Sequence, residues 1–318
     1  MSAVDLSIVV VNYNTAGLLD TVFAAVEAAT GALTVQTIVV DNASRDGSAA
    51  ILRARWPQIE LIENAVNVGF GRANNQALAR ARGRFLLLLN TDAFVEPGGI
   101  ERSVRWLDAH PRCGLLGARL VSRDGSLQPS CRYFPTPWNE FLSRTGLDRV
   151  LRGARLVDDL GWDHRSACEC DWVPGCYYLL RKSVVDEVGL FDPRYFLYYE
   201  EVDHCRALRA AGWQVMYYPD TTVVHIGGES ARSDAELSSA GRQIPALQIE
   251  SALLYYRKHH GLVGLWLGVV LAVLGDALLA LKRLLRGRPL GGAGASFAHA
   301  RTTWSLLRRT GWAQRPTR

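Results

Sequence analysis

Acid is missing from one end of this chain. From Lys282 to Arg318 there is no Asp or Glu, while Lys282, Arg283, Arg286, Arg288, Arg301, Arg308, Arg309, Arg315 and Arg318 supply nine bases. The other 27 of the 36 bases share residues 1–281 with all 31 acids, so the formal +5 divides into −4 for the body and +9 for the tail. A mildly acidic body does not suit a nucleic-acid binder, and no nucleic-acid partner is expected. The tail reads instead as a local adhesive for an anionic surface. Paired cysteines are also lacking. None of the six cysteines stands in C-x-x-C spacing, and Cys168-Glu-Cys170 is not a usual zinc half-site, so reduced structural thiols are expected. No charged segment followed by an apolar one opens the chain, because Val4–Val11 already reads as a buried strand; a signal peptide is not expected, and the N-terminal part should stay cytoplasmic. Gly69-Phe-Gly71 lacks the third glycine of a dinucleotide fingerprint.

Long apolar runs are scarce, with a single exception. Leu262–Leu281 holds one charge, Asp276, and at about 1.5 Å rise per residue it is just long enough to cross hydrocarbon. Arg257, Lys258, His259 and His260 flank one end, and Lys282, Arg283, Arg286 and Arg288 the other. Positive charge on both sides gives no inside–outside bias, so a helix lying in the cytoplasmic leaflet fits at least as well as a span.

What the chain does have is a repeated strand–helix pattern. Leu6–Val11, Val35–Val40, Ile59–Ile62 and Phe85–Leu89 are short apolar runs that suit strands buried on both faces of a mainly parallel sheet. Thr15 is a candidate N-cap for a helix bearing Leu18, Leu19, Val22, Phe23 and Val26, and Ser44 opens a second helix from Asp46 to about Trp56. Asn64–Asn75 reads as a loop leading into a helix through Arg82, and Gly99–Ala109 as a further helix. Beyond it, Gly114–Val121 and Leu127–Tyr133 read as a hairpin about Ser122–Gly125. Residues 135–170 look irregular and aromatic-rich. Trp172–Leu180 reads as a strand, Glu200–Ala211 as a helix, Trp213–Tyr218 and Val223–Ile226 as short strands, and Ser233–His260 as a helix. Four strand–helix repeats predict a doubly wound α/β sheet with its ligand at the strands' C-terminal ends.

Those ends are polar. Asn12-Tyr13-Asn14, Asp41-Asn42 and Asn90-Thr91-Asp92 each stop an apolar run. An acid after the second strand can accept an N–H from a pyrimidine ring; one after the fourth can hold a divalent cation together with a substrate diphosphate. The competing structural roles are a helix cap formed by Asp41 with Ser44, and a turn or helix cap formed by Asp92.

Eight segments in order carry a resemblance. Ile8-Val-Val-Val-Asn-Tyr-Asn14, Val39-Val-Asp-Asn-Ala-Ser44, Asn67-Val-Gly-Phe-Gly-Arg-Ala-Asn-Asn75, Leu88-Leu-Asn-Thr-Asp-Ala93, Trp172-Val-Pro-Gly-Cys176, Gly189-Leu-Phe-Asp192, Tyr198-Tyr-Glu-Glu-Val-Asp203 and His225-Ile-Gly-Gly-Glu-Ser230 resemble the motifs of family 2 glycosyltransferases. Within the family, the Asn-Val-Gly-Phe and Tyr-Glu-Glu-Val-Asp forms most resemble bacterial rhamnosyltransferases of cell-wall and surface polysaccharide synthesis. The resemblance implies a GT-A fold over residues 1–230, with a nucleotide-sugar half to about 112 and an acceptor half beyond it. Residues 231–318 would then be membrane-associating C-terminal helices.

Carried over by residue, Val11, Asn12, Tyr13 and Asn42 line the nucleotide-sugar pocket, Asp41 reads the base, and Gly69 and Arg72 lie along the donor. Asn90-Thr91-Asp92 stands at the D-x-D position, with Asp92 and His225 as ligands of Mg2+ or Mn2+. Asn90 departs from the usual Asp and lowers the site's charge. Glu200-Glu201 matches the family's Glu-Asp pair, which makes Glu201 the expected base, one methylene longer than usual. Trp172, Gly175 and Asp203 are expected on the acceptor side. Each has a plainer alternative: His225 as a buried histidine, Glu200, Glu201 and Asp203 as acids favoured at a helix N-terminus, Trp172 as core.

The expected activity is inverting, metal-dependent transfer, with dTDP-L-rhamnose as donor. The expected acceptor is a polyprenyl-diphosphate-linked saccharide at the cytoplasmic face of the membrane. A UDP-hexose or UDP-furanose donor is the alternative within the fold, since uracil and thymine present the same ring N–H. A catalytically silent scaffold is the alternative outside it. The sequence leaves room for a homodimer.

Overall fold

Runs of leucine and valine set up the sheet. The computed structural model describes residues 4–151, 156–158, 161–227, 243–285 and 293–318. Four parallel strands, β1 (Leu6–Asn12), β2 (Val35–Asp41), β3 (Glu60–Glu63) and β4 (Phe85–Asn90), lie side by side in the order β3-β2-β1-β4. Side chains alternate between the faces. Val9, Ile38, Leu86 and Leu88 enter one core, and Ile8, Val10, Val39, Leu87 and Leu89 the other. With both faces covered, β4 has no residue from Phe85 to Leu89 more than 2% exposed, and each fully buried leucine stabilises the fold by roughly 1.5–3 kcal/mol.

The helices α1 (Leu19–Thr30), α2 (Ser48–Arg55), α3 (Phe70–Leu78) and α4 (Gly99–Ala109) follow strands as the repeat predicts. Thr15 is not their cap, since a short 3-10 turn at Ala16–Leu18 precedes α1. Ser44 likewise lies upstream of α2 rather than at its start. The expected Asn64–Asn75 loop is shorter, because α3 already begins at Phe70, where the small residues Gly71, Ala73 and Ala77 bury a helix face.

The sheet then departs from parallel. Beyond β4 lie β9 (Tyr177–Arg181), β6 (Cys113–Val121), β10 (Gln214–His225) and β5 (Ala93–Val95), with β7 (Leu127–Gln128) on β6 and β8 (Cys168–Glu169) on β10. β9 runs antiparallel to both β4 and β6, while β6 and β10 are parallel. The expected strand at Trp172–Leu180 therefore starts later, after Pro174-Gly175. The expected hairpin arm Leu127–Tyr133 pairs only at Leu127 and Gln128, because Pro129 has no N–H for the ladder. The two short strands predicted near 213–226 are one long strand with irregular register between Tyr218 and Thr222. In the stretch that looked irregular, α5 (Pro137–Thr145) is closed by a capping box between Thr136 and Asn139, with proline at its first turn. α6 (Lys182–Val188) and α7 (Glu200–Ala210) complete this part.

The C-terminal helices are α8 (Gln243–Leu285) and α9 (Ala293–Arg309). The predicted helix start at Ser233 and the Gly228–Ser230 part of the last motif lie outside the described residues. α8 is broken at Gly261, whose φ of 66° and ψ of −163° are non-helical. Its first arm docks on α7: Lys258 Nζ and His259 Nε2 reach the Asp203 carboxylate at 2.7 and 2.6 Å. Its second arm carries the apolar run. Asp276, the single charge there, is buried between Arg144 of α5 and His299 of α9. The opposite side leaves Val263, Trp266, Leu267, Val270, Val273 and Leu274 exposed at helical spacing.

Candidate active site

The parallel register puts Asn12 opposite Asp41 and Val11 opposite Asn90, so three polar strand ends meet. A buried chain of hydrogen bonds ties them. Asn12 Nδ2 donates to Asp41 Oδ1 at 2.7 Å and to Ser44 Oγ at 3.0 Å, and the Ser44 N–H donates to Asp41 Oδ2 at 3.0 Å. The Thr15 hydroxyl donates to Asn12 Oδ1 at 2.7 Å and meets the Thr91 hydroxyl at 2.9 Å. Both Asp41 oxygens are thus engaged. The contact with Ser44 that favours a structural reading is real, although α2 begins only at Ser48.

In front of this chain lies a cavity of about 280 Å3. Val11, Tyr13, Asn42, Gly69, Asn90, Thr91, Asp92, Gly175, Glu200, Glu201 and His225 all reach its wall, while Asn12 and Asp41 stand just behind. Asn42 braces one side, donating to Asn67 Oδ1 at 2.8 Å and accepting the Val68 N–H at 3.0 Å. Gly69 sits at φ +88°, where an added Cβ would come within 2.4 Å of the Phe196 carbonyl oxygen; that position demands glycine.

Three expected members are not brought to this cavity. Arg72, in the first turn of α3, points to the surface and bonds the carbonyls of Pro193 and Arg318 at 2.8 and 3.0 Å. Asp203 faces α8 and bonds Lys258, His259 and the Tyr195 hydroxyl. Burial acts to raise its carboxyl pKa, but the hydrogen bonds from His259 and Lys258, with the Lys258 charge, hold it below the usual range. Trp172 packs as core, its indole N–H donating to the Tyr133 carbonyl, yet it also borders a second cavity beyond Glu201.

Asp92 and His225 meet because β10 pairs antiparallel with β5, placing His225 opposite Ala93. Asp92 Oδ1 is 3.7 Å from His225 Nε2: beyond a hydrogen bond, and close enough for both to touch one cation. Burial holds the imidazole's pKa below its ordinary value, which favours the neutral, ligating form. The other ring nitrogen is fixed by Gln128, a residue that no motif in the chain singles out. Its Oε1 is 3.0 Å from His225 Nδ1, and its Nε2 donates to the His225 carbonyl at 2.8 Å. With Nδ1–H donating to Gln128, the Nε2 lone pair faces Asp92, the orientation a metal-binding histidine needs. Among the described residues no group of three or more His, Cys, Asp or Glu side chains is arranged to hold a metal ion by itself. Asp92 and His225 would hold a divalent ion only with oxygens from a bound diphosphate or water, as Mg2+ and Mn2+ are commonly held.

Glu200 and Glu201 open α7 behind two strained residues. Tyr198 and Tyr199 have φ of +70° and +69°, a left-handed conformation that costs non-glycine residues about 1–3 kcal/mol each. Glu200 is 4% exposed, and neither its Oε2 nor that of Glu201 has a hydrogen-bond partner. Burial raises both carboxyl pKa values, and the charge of Glu201 raises that of Glu200 further. A carboxyl whose folded pKa lies above its unfolded one carries no penalty below the unfolded value. It loses stability as pH climbs through the folded value. Glu200→Gln is therefore expected to raise the melting temperature at pH 8 by several degrees and to leave it nearly unchanged at pH 4. Thermal denaturation at the two pH values checks this; equal shifts would contradict it.

A half-parallel sheet with its cleft at the strand ends, an acid–histidine pair and a buried base candidate define a GT-A glycosyltransferase fold. A mannosyltransferase of Pyrobaculum calidifontis, solved in complex with GDP-Man and Mn2+, shares it, with a TM-score of 0.56 at 14% identity, covering 99% of this chain and 89% of that one. The sequence profile described as "Glycosyl transferase family 2" matches residues 7–157. The N-acetylglucosaminyl-diphospho-decaprenol L-rhamnosyltransferase of Mycobacterium tuberculosis is 30% identical over 246 residues, spanning 72% of this chain and 78% of its own length. Rhamnosyltransferase WbbL of Escherichia coli K12 is 36% identical over 174 residues, 52% of this chain and 63% of its own. The chain belongs to glycosyl transferase family 2, and it is a glycosyltransferase.

Proposed function

We propose that the protein transfers L-rhamnose, with inversion, from dTDP-L-rhamnose to a sugar carried on a polyprenyl diphosphate at the cytoplasmic membrane face. The observation that carries this reading is the convergence of Glu201 and the Asp92–His225 pair on one cavity, in a chain with relatives in M. tuberculosis and E. coli named as rhamnosyltransferases. Asn42 lines the pyrimidine end, braced from behind by Asn12 and Asp41, with Gly69 letting the backbone approach the donor. A divalent ion at Asp92 and His225 would neutralise charge on the departing diphosphate. Glu201 takes the acceptor hydroxyl's proton as that oxygen attacks the anomeric carbon. The bond from that carbon to the diphosphate breaks, and the nucleoside diphosphate leaves with the electron pair. One displacement inverts the centre without a second carboxylate as nucleophile.

The exposed apolar side of α8, followed by the basic tail, supports docking in the lipid interface, since its other side is occupied by protein. The test is a panel of nucleotide sugars given to the purified protein with Mn2+ or Mg2+ and a prenyl-diphosphate N-acetylglucosamine acceptor. Transfer from dTDP-L-rhamnose alone is expected. Faster use of a UDP-hexose or UDP-furanose would replace the donor, and no turnover of any donor would leave the scaffold reading.

A further inference from the structure

Beyond Glu201 lies a larger open cavity, about 470 Å3, lined by α5, the start of α7, α8 and α9. We propose that it is the acceptor site, taking a prenyl-diphosphate sugar with the sugar at Glu201 and the chain along α8; this rests on the function proposed above. Position argues first. Tyr198 and Glu201 line both cavities, so a single carboxylate stands between the donor space and this one. A base for glycosyl transfer must reach the acceptor hydroxyl on one side and lie near the donor's anomeric carbon on the other. The Glu201 Oε2 is buried and free of hydrogen-bond partners, as a group reserved for an incoming hydroxyl is expected to be.

Wall chemistry argues second. Near Glu201 the wall is polar and aromatic, with Trp172 under the Arg132 guanidinium at 4.8 Å and Tyr199 donating to Glu140 at 2.7 Å. Toward α8 it becomes Leu253, Val269 and Ala272. A ligand polar at one end and hydrocarbon at the other matches that gradient, whereas a free sugar or a phospholipid chain matches half of it.

Charge argues third. Arg132 and Arg144 are the wall's guanidinium groups, and among the described residues each pairs with one carboxylate, Asp158 and Asp276 respectively. A guanidinium has five donors, so one carboxylate leaves others for a diphosphate. The presence of Asp276 in the otherwise apolar run Leu262–Leu281 is then explained, because it fixes Arg144 and His299 on the cavity wall.

The test uses the full chain with Ala272→Phe and Val269→Phe, which fill the cavity from α8. Each is expected to raise KM for a short-chain prenyl-diphosphate N-acetylglucosamine by about tenfold or more, with the donor dissociation constant held within twofold. In parallel, a diazirine-bearing prenyl acceptor added to wild-type protein is expected to label residues 249–272 of α8, with protection by unlabelled acceptor and none by phospholipid vesicles. Unchanged acceptor KM in a folded variant, labelling elsewhere, or equal protection by phospholipid overturns the proposal. Failure of wild-type protein to turn over any donor would instead sink the proposed function, while the labelling still reports on the cavity.

Discussion

Glu201→Gln is expected to lower transfer by about 10²–10⁴-fold, the range over which a positioned general base acts, while the donor dissociation constant stays within twofold. The amide keeps the size and hydrogen-bonding reach of the carboxyl, so packing at the head of α7 is preserved. What it removes is the proton acceptor. The wild-type rate should also rise with pH along an acid limb displaced above the ordinary carboxylate range, because burial raises the Glu201 pKa. In Glu201→Gln that limb should vanish from the residual activity. Glu201→Asp retracts the carboxylate by one methylene and should recover part of the rate. Steady-state kinetics across pH, beside calorimetric donor binding, separates the roles. A normal rate in Glu201→Gln would transfer the assignment to Glu200, whose carboxyl faces the donor cavity but does not line the larger one.

The polar strand-end edge of the cleft was legible because it depends on local order. Apolar runs of three to five residues ending in Asn12, Asp41 and Asn90–Asp92 give the strands, their burial and the edge where their polar ends meet. Side-chain direction was not legible in the same way. Arg72 sits in a recognisable segment, yet α3 starts early enough to turn it toward Pro193. Asp203 sits beside the base candidate in sequence, but its direction is set by Lys258 and His259, which arrive from a helix far along the chain. α5 went unread although Thr136-Pro137 and Asn139 form a helix-start signature, because the aromatic residues around it masked the period. Nor could the apolar run at Leu262–Leu281 show which of its sides is covered. That followed only from Asp276 meeting Arg144 and His299, which turns one side of the helix inward and leaves Trp266 and its neighbours outside. The Asp92–His225 pair depends on the antiparallel pairing of β5 with β10, so the motif context suggested it but no spacing could.

That pairing also supplies the second large effect. Asp92→Asn is expected to weaken Mn2+ binding, measured by calorimetry in the presence of nucleoside diphosphate, by at least about 100-fold, and to abolish transfer with it. With two protein donors at the site, loss of the charged one leaves an imidazole and the ligand's own oxygens. Gln128→Leu tests the same site without touching a donor atom. The leucine keeps the bulk between β7 and β10 but removes the acceptor that holds the His225 Nδ1–H and the donor that holds its carbonyl. The ring is then free to turn or to place its proton on Nε2, so Mn2+ affinity should fall about 10–100-fold, the usual effect of removing such a supporting hydrogen bond. Gln128→Glu keeps an acceptor at Nδ1 and should recover much of that loss, which a purely structural role for residue 128 would not allow. The Nδ1 and Nε2 shifts of His225 in nitrogen NMR report the tautomer directly. If Gln128→Leu binds Mn2+ as tightly as wild type while Asp92→Asn does not, His225 is a packed histidine beside the site, and the metal rests on Asp92 and the diphosphate.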